Sequence, residues 1–202
     1  MKKNRLLAYL LALFLCISLA GCGGGAQTSE SVNTFRIGTP VSIDTLNPLA
    51  SYMQVGFEVF LLVYDPLVRY DENFEPTGCL AESWETSEDG LTWTFHLKDG
   101  VKWHDGEPFT SEDVKFTYDT MMESGLGYMY STYLAGIDSV ECPDANTVVI
   151  KTDEPKANML MNTTPILPKH IWSEIKPEEL ETYANEKPIG TGPFLSSTNA
   201  SS

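Results

Sequence analysis

The chain has 202 residues, and its 28 acidic residues against 13 Lys and Arg give a formal net charge of −15 at pH 7. A charge of this sign repels phosphate backbones, so no nucleic acid is expected as a partner. Aromatic residues make up 11% of the chain. With this length they suffice for one or two compact cores, which argues against a largely disordered protein.

Residues 1–21 have the pattern of a lipoprotein signal peptide. Three basic residues precede an apolar run at residues 6–20, which is short for a membrane span. The run ends at Gly21 and Cys22, and a cysteine at this junction predicts that Cys22 is lipidated and becomes the first mature residue. Acyl chains there would hold the protein at a membrane surface. The alternative is a short membrane helix with a chance cysteine. Cleavage would remove only basic charges and leave a mature net charge of −18.

Two cysteines remain after the predicted processing, Cys79 and Cys142. An exported protein can carry a disulfide, and a loop this long would contribute on the order of 4 kcal/mol in the chain-entropy model. Nothing in the sequence brings the two thiols together. The alternative is two unpaired cysteines that pack as small apolar side chains.

The first half of the mature chain begins with a polar, glycine-rich stretch, residues 22–34, which we expect to be a flexible tether. A first strand is predicted at residues 35–38, followed by an exposed loop at residues 39–48. Helical spacing of apolar residues predicts a helix within residues 52–63. This helix should end at Asp65, because the residue before a proline avoids the helical region.

The clearest strand is residues 91–98, where apolar and polar side chains alternate. Asp99 and Gly100 follow it, and the alternation resumes at Val101, so a hairpin is predicted at this turn. A helix should begin at Thr110 or Ser111 with Asp113 completing a capping box. Its inner face is predicted to consist of Val114, Thr117, Tyr118 and Met121.

The last third of the chain predicts a hairpin of two strands, residues 137–140 and 147–152, joined by turn-forming residues. Residues 156–162 and 170–183 have helical character interrupted by prolines. Residues 188–194 form a rigid bend punctuated by glycines. Residues 195–202 have little to bury, and we expect a disordered or aberrant tail there.

Several of these segments together resemble the solute-binding proteins of peptide and nickel ATP-binding-cassette importers, family 5 of such receptors. Order and spacing agree throughout residues 35–194. The segments that carry the resemblance are residues 46–48, 64–67, 80–85, 89–106, 109–114 and 188–194.

This resemblance implies an α/β fold of the class II periplasmic-binding-protein type. It assigns residues 35–64 to a first piece of lobe I, residues 65–184 to a β-rich subdomain of lobe I, and residues 185–194 to a return to lobe I. Family members are usually more than twice as long, so the chain resembles the N-terminal portion only, and the second lobe is expected to be missing. The serine-rich end at residues 196–202 does not continue the expected strand, so a truncated, interrupted or mispredicted gene is expected.

The resemblance also implies a function: the lipid-anchored, extracytoplasmic substrate-binding component of a peptide-type importer, lying at the outer face of the cytoplasmic membrane or in the periplasm. Its partners would be an oligopeptide or other small solute, a membrane permease, and the membrane through Cys22. No cofactor is implied. Ligands would be held mainly by main-chain groups between two closing lobes. The residues expected to line the cleft are Thr39, Pro40, Val41, Tyr128, Tyr130, Gly190, Thr191 and Gly192.

The sequence also bears on metal binding, catalysis and a role without transport. His96, His104 and His170 have no metal-ligand spacing, so no metal site is predicted. Gly-x-Ser-x-Gly and His-Glu-x-x-His motifs are absent from the sequence, and the protein is not expected to be an enzyme. A non-transporting surface lipoprotein or interaction module derived from such a receptor stays open. The packing of ordinary half-buried tyrosines would equally explain Tyr128 and Tyr130.

Overall fold

The computed structural model of the protein describes residues 38–195. The predictions for the signal peptide, Cys22, the tether, the strand at residues 35–37 and the tail beyond residue 195 lie outside this range. The α-helices are α1 (Gln54–Val63), α2 (Ser111–Ser124), α3 (Ser131–Leu134) and α4 (Lys169–Trp172). The strands are β1 (Val68–Tyr70), β2 (Pro76–Gly78), β3 (Ala81–Thr86), β4 (Thr92–Leu97), β5 (Ile137–Asp144) and β6 (Thr147–Thr152).

A four-stranded antiparallel sheet with the order β3-β4-β6-β5 forms the centre of the fold. The predicted alternating strand is present as β4, and Phe95 and Leu97 on it are buried. Phe95 lies opposite Val148, and Trp93 lies opposite Ile150, on the neighbouring strand β6. These cross-strand pairs put apolar side chains on one face of the sheet, which is why a sequence with period two forms a strand at this position. The predicted hairpin of β5 and β6 is also confirmed.

The predicted hairpin at Asp99 and Gly100 is wrong. The chain does turn there, and Gly100 has a φ of +71°, but strand β4 pairs with the preceding strand β3 through the turn at residues 87–91. Since β6 occupies the other edge of β4, no edge is left for residues 101–103. These residues instead bond to residues 107–109 around a turn at Gly106.

Helix α2 packs its inner face on the sheet. Thr110 is the N-cap, and its N–H donates to the Asp113 carboxylate at 2.8 Å, as the capping box predicted. The four side chains predicted for the inner face, Val114, Thr117, Tyr118 and Met121, are all buried. The 3.6-residue spacing therefore identified both the helix and its buried side.

Residues 156–183 are less helical than predicted. Only a 3-10 turn at Met159–Met161, the single-turn helix α4 and a second 3-10 turn at Pro177–Glu179 form in them. Prolines 165, 168 and 177 lack the amide hydrogen that a continuous helix needs, so each helical stretch stops within about one turn. Helix α1 does end before Pro66, as predicted.

The possible disulfide between Cys79 and Cys142 is not formed, and both thiols are free. Cys79 directly follows β2, two residues before β3 begins, and Cys142 lies in β5; strands β3 and β5 are the two opposite edges of the four-stranded sheet. Three strand spacings of about 4.8 Å each separate these edges, whereas a disulfide needs Cα atoms about 4.4–6.8 Å apart. Burial raises the pKa of Cys79 to about 11 and also raises that of Cys142, so neither thiol is activated for reaction.

Candidate functional site

An exposed pair of tyrosines is the most prominent aromatic surface of the described residues. The ring centroids of Tyr52 and Tyr128 lie 6.0 Å apart, and the two residues are 64% and 69% exposed. Tyr52 precedes helix α1, while Tyr128 begins a 3-10 turn that follows helix α2. Two aromatic faces held together in solvent offer a surface on which an apolar or peptide group can stack.

The loop that carries Tyr52 is organised by Asp44. Its carboxylate accepts hydrogen bonds from the Tyr52 N–H at 2.9 Å, the Ser51 hydroxyl at 2.8 Å and the Thr45 N–H at 3.0 Å. Burial alone would raise the pKa of Asp44, but these donors outweigh it and hold the pKa below its usual value. Asp44 therefore fixes the backbone at Tyr52 best when it is ionised.

The Tyr128 side of the pair is joined to the same loop through the backbone. Gly127 donates its N–H to the Leu49 carbonyl at 2.7 Å. Its φ of +74° is a left-handed conformation that favours glycine, and it turns the chain out of helix α2 toward Tyr128. The buried Asn47 anchors the loop from below by donating to the Leu180 and Tyr183 carbonyls at 2.8 and 2.9 Å. The tyrosines thus project from two segments that are tied together.

The predicted cleft residues fall into three groups. Thr39, Pro40 and Val41 are exposed, with Val41 at 49%, and Tyr128 is exposed beside Tyr52. Tyr130 is only 1% exposed and packs against Phe57 in the core, with ring centroids 6.2 Å apart. Its side chain is therefore not available to a ligand on the surface of the described residues.

The third group, Gly190, Thr191 and Gly192, forms a bend against the end of helix α1. Gly192 donates its N–H to the Val63 carbonyl at 2.9 Å. A Cβ on Gly190 would lie 1.8 Å from the Val63 oxygen, and one on Gly192 would lie 2.7 Å from the Leu62 oxygen. Both positions require glycine because backbone approaches backbone there, and both glycines are buried.

His104 holds the bend from its other side. The Gly190 N–H donates to His104 Nδ1 at 3.1 Å, so the ring hydrogen lies on Nε2, which donates to the Gly192 carbonyl at 2.7 Å. The His104 backbone N–H also donates to the Gly190 carbonyl at 2.9 Å. The sequence indicated only that His104 lies beside a turn, since its hydrogen-bond partners Gly192 and Gly190 lie 88 and 86 residues away along the chain. One imidazole of defined tautomer therefore clamps the bend.

Asp65 completes this junction. Its carboxylate accepts from the Thr191 hydroxyl at 3.0 Å and pairs with Arg69 at 2.6 Å. Arg69 also donates to the Leu61 carbonyl near the end of helix α1 at 3.1 Å, where a cation is favoured by the helix dipole. Thr191 is thus occupied by a structural contact.

The Tyr52–Tyr128 pair is the element that the sequence identified only in part. Tyr128 is among the predicted cleft residues, whereas Tyr52 lies at the start of the segment in which the sequence predicts a helix. Its exposure could have been recognised from the sequence, because Tyr52 lies outside the stripe of apolar residues at helical spacing that begins at Val55.

Within residues 38–195, no three His, Cys, Asp or Glu side chains cluster closely enough to hold a metal ion. None of the helices in this part of the chain combines the length and apolarity needed to cross a bilayer.

Comparison with known proteins places the chain among binding proteins. An ABC transporter peptide-binding protein of Brucella ovis is 46% identical over 165 residues, which cover 79% of this chain and 31% of the relative. Oligopeptide-binding protein AppA of Bacillus subtilis is 30% identical over 209 residues, which cover 96% of this chain and 38% of AppA. The chain therefore spans about a third of the length of these relatives.

Solved structures agree with the sequence comparison. AppA of Bacillus subtilis in complex with a nonapeptide matches with a TM-score of 0.67 and 31% identity, over 79% of this chain and 32% of that one. NikZ of Campylobacter jejuni in complex with Ni(L-His) matches with a TM-score of 0.66 and 33% identity, over 77% and 31%. These neighbours are class II periplasmic binding proteins, which confirms the predicted α/β fold class for the portion that is covered.

Residues 75–198, more than half of the chain, match a protein-family model. That model describes the middle region of the bacterial extracellular solute-binding proteins, family 5. This match includes the four-stranded sheet, helix α2 and the bend. The chain belongs to family 5 of the bacterial extracellular solute-binding proteins.

Proposed function

We propose that this protein provides the substrate-binding component of a peptide-type ATP-binding-cassette importer, with an oligopeptide or similar small solute as its ligand and a membrane permease as its partner. The observation that carries the proposal is the 46% identity to an ABC transporter peptide-binding protein. Family membership as a solute receptor, together with the absence of the two hydrolase motifs from the sequence, supports binding without catalysis.

The exposed Tyr52–Tyr128 pair is the proposed ligand-facing surface. Its two rings present apolar faces and polar hydroxyl groups, which suits a peptide whose side chains vary. Thr39, Pro40 and Val41, which are also exposed, are proposed as further residues that line the cleft. Main-chain groups would bind the peptide backbone by strand addition, so that affinity does not depend strongly on peptide sequence.

We further propose that residues 35–64 and 185–194 belong to lobe I proper, with residues 65–184 as its β-rich subdomain. The bonds from the 190–194 segment to Val63 and Leu62 support this division, since they join the returning chain to helix α1. His104 would then connect the subdomain to the bend, and the bend to the lobe.

Lipidation of Cys22 is proposed as the means of anchoring. The sequence Leu19-Ala20-Gly21-Cys22 at the end of the apolar run supports this proposal. The mature chain, with a net charge of −18, would have little attraction to anionic lipids without an acyl anchor. Metabolic labelling with an alkynyl fatty acid should mark the wild-type chain and leave Cys22→Ser unlabelled, and the variant should leave the membrane fraction. Equal labelling of both chains would contradict the anchor.

A ligand that is enclosed between two lobes is shielded from water on both sides. The described residues would form only one side of such a cleft. We therefore propose that the 202-residue chain binds peptides weakly. In NMR titrations with oligopeptides at millimolar concentration, the ring resonances of Tyr52 and Tyr128 should shift, and Tyr128→Ala should abolish the shift at Tyr52. Tyr70→Ala, which removes another exposed tyrosine, is the matched control.

The same titration separates the candidate functions. Shifts confined to the tyrosine pair support one wall of a receptor cleft. Stoichiometric uptake of oligopeptide at micromolar concentration or tighter by calorimetry would refute the one-wall proposal. An absence of any shift at millimolar peptide would favour a surface lipoprotein that does not transport.

A further inference from the structure

A groove lies between helix α2 and the segment at residues 172–180. Its volume is about 410 Å³, and its lining includes Phe116, Thr120, Glu123, Trp172, Ile175 and Leu180. This size falls within the range of about 300–1,000 Å³ that is typical of ligand sites. None of these residues belongs to the Tyr52–Tyr128 pair or to the 190–192 bend, so the groove is separate from the proposed ligand surface.

The floor of the groove is apolar and fixed. Trp172 is 1% exposed, and its ring packs edge-on against Tyr183 with centroids 5.2 Å apart. Leu180 is also buried, while Phe116 and Ile175 are only partly covered. Phe116, Thr120, Glu123 and Ser124 recur at helical spacing along α2 and form a second stripe beside the one that packs on the sheet. An aromatic residue on this second stripe leaves apolar surface partly open to solvent.

The wall opposite helix α2 is held mostly by local hydrogen bonds. Ile175 donates to the Trp172 carbonyl at 3.3 Å, and Leu180 donates to the Pro177 carbonyl at 3.4 Å. Both distances are longer than the usual 2.9–3.0 Å, so these bonds are weak. The end of this wall is also tied to the core, since the Leu180 carbonyl accepts a hydrogen bond from the buried Asn47 side chain at 2.8 Å.

Both rims of the groove are acidic. On helix α2 the solvent side carries Glu112, Asp119 and Glu123, and its single lysine, Lys115, is paired with Asp119 at 2.7 Å. The segment at residues 172–181 carries four glutamates, and its single lysine, Lys176, lies 3.3 Å from Glu179. Glu112 is likewise paired, with Lys169 at 2.9 Å. Among the described residues, the glutamates here that have no lysine partner are Glu123, Glu174, Glu178 and Glu181, and their excess negative charge attracts cations.

We propose that this groove is a docking site for a partner protein segment in which one or two large apolar side chains are flanked by lysine or arginine. The apolar side chain fills the groove above Trp172, and the flanking cations face Glu123 and the glutamates of residues 174–181. An apolar anchor in a pocket supplies most of the affinity of such contacts, while charges at the rim supply orientation and association rate.

The test uses the full chain labelled with 15N and a short acetylated peptide of leucine, tryptophan and lysine. The amide resonances of Thr120, Glu123 and Ile175 and the indole resonance of Trp172 should shift on titration. A matched peptide with glutamate in place of lysine should bind at least tenfold more weakly, and so should one with serine in place of the apolar residues. Affinity should fall with added salt, because the rim charges are exposed.

Two charge-reversed variants make the test specific. Glu123→Lys changes the rim, and Glu82→Lys changes an exposed glutamate on strand β3 by the same amount. We expect Glu123→Lys to weaken binding roughly two- to fivefold, as for one exposed ion pair, and Glu82→Lys to leave the dissociation constant unchanged. Equal effects of the two variants would show that only net charge matters and would overturn the proposal. So would a titration that leaves the resonances of Thr120, Glu123, Ile175 and Trp172 unchanged, or tight binding of the serine peptide. Shifts at Tyr52 and Tyr128 report the proposed ligand surface and do not bear on the groove.

Discussion

Removal of the His104 side chain tests whether the bend at residues 190–192 is held as the structure indicates. In His104→Ala the Gly190 N–H loses its acceptor and the Gly192 carbonyl loses its donor. A hydrogen bond contributes about 1 kcal/mol net, and a polar group left unpaired in a buried position costs about 1–3 kcal/mol. The backbone bond from His104 to Gly190 survives the substitution. We therefore expect a loss of about 2–3 kcal/mol in the free energy of unfolding, which lowers Tm by about 4–12 °C for a domain of this size.

The matched control is His96→Ala. His96 lies on strand β4 with its side chain 44% exposed, and its nearest carboxylate, Glu85, is 3.9 Å away, which is too long for a hydrogen bond. This variant should lose no more than about 0.5 kcal/mol. Urea unfolding followed by tryptophan fluorescence measures both variants, and hydrogen exchange should show faster exchange of the Gly190 amide in His104→Ala only. Equal stability losses in the two variants, or an unchanged Gly190 exchange rate, would refute the clamp.

Two further predictions concern the same junction and the tyrosine loop. Gly190→Ala should destabilise the protein by about 3 kcal/mol because its Cβ would lie 1.8 Å from a backbone oxygen that cannot move cheaply. Gly38→Ala, where nothing lies within 4 Å, is its control, and similar melting temperatures for the two would contradict the close approach. Asp44→Ala should lower stability at neutral pH. Because the folded pKa of Asp44 lies below its usual value, the wild-type contribution is present above about pH 4 and is lost as the pH falls through the folded pKa. The difference in unfolding free energy between the two chains should therefore be largest at neutral pH and narrow as the pH is lowered below about 4. A constant difference would show that Asp44 does not act through its charge.

The amino-acid sequence predicted those elements whose cause is local. The alternation at residues 91–98 predicted strand β4, and the capping box at Thr110 with the spacing of Val114 and Tyr118 predicted helix α2 and its buried side. In each case the pattern repeats within a few residues and matches the period of the element. The predicted hairpin at Gly100 failed because a turn residue shows that the chain turns but does not show which strand already occupies the neighbouring edge.

What the sequence by itself determined is therefore the family, the α/β class, and the local elements of sheet and helix. The tertiary structure decided which of the predicted site residues reach the surface. Tyr128 faces solvent beside Tyr52, whereas Tyr130, two residues later, is buried in the core. It also decided that the bend is clamped by His104 and that Cys79 and Cys142 stay apart. The physical reason is the same in each case. Burial and hydrogen bonding depend on contacts between segments far apart along the chain, and a local pattern of residues does not show which distant segments come into contact.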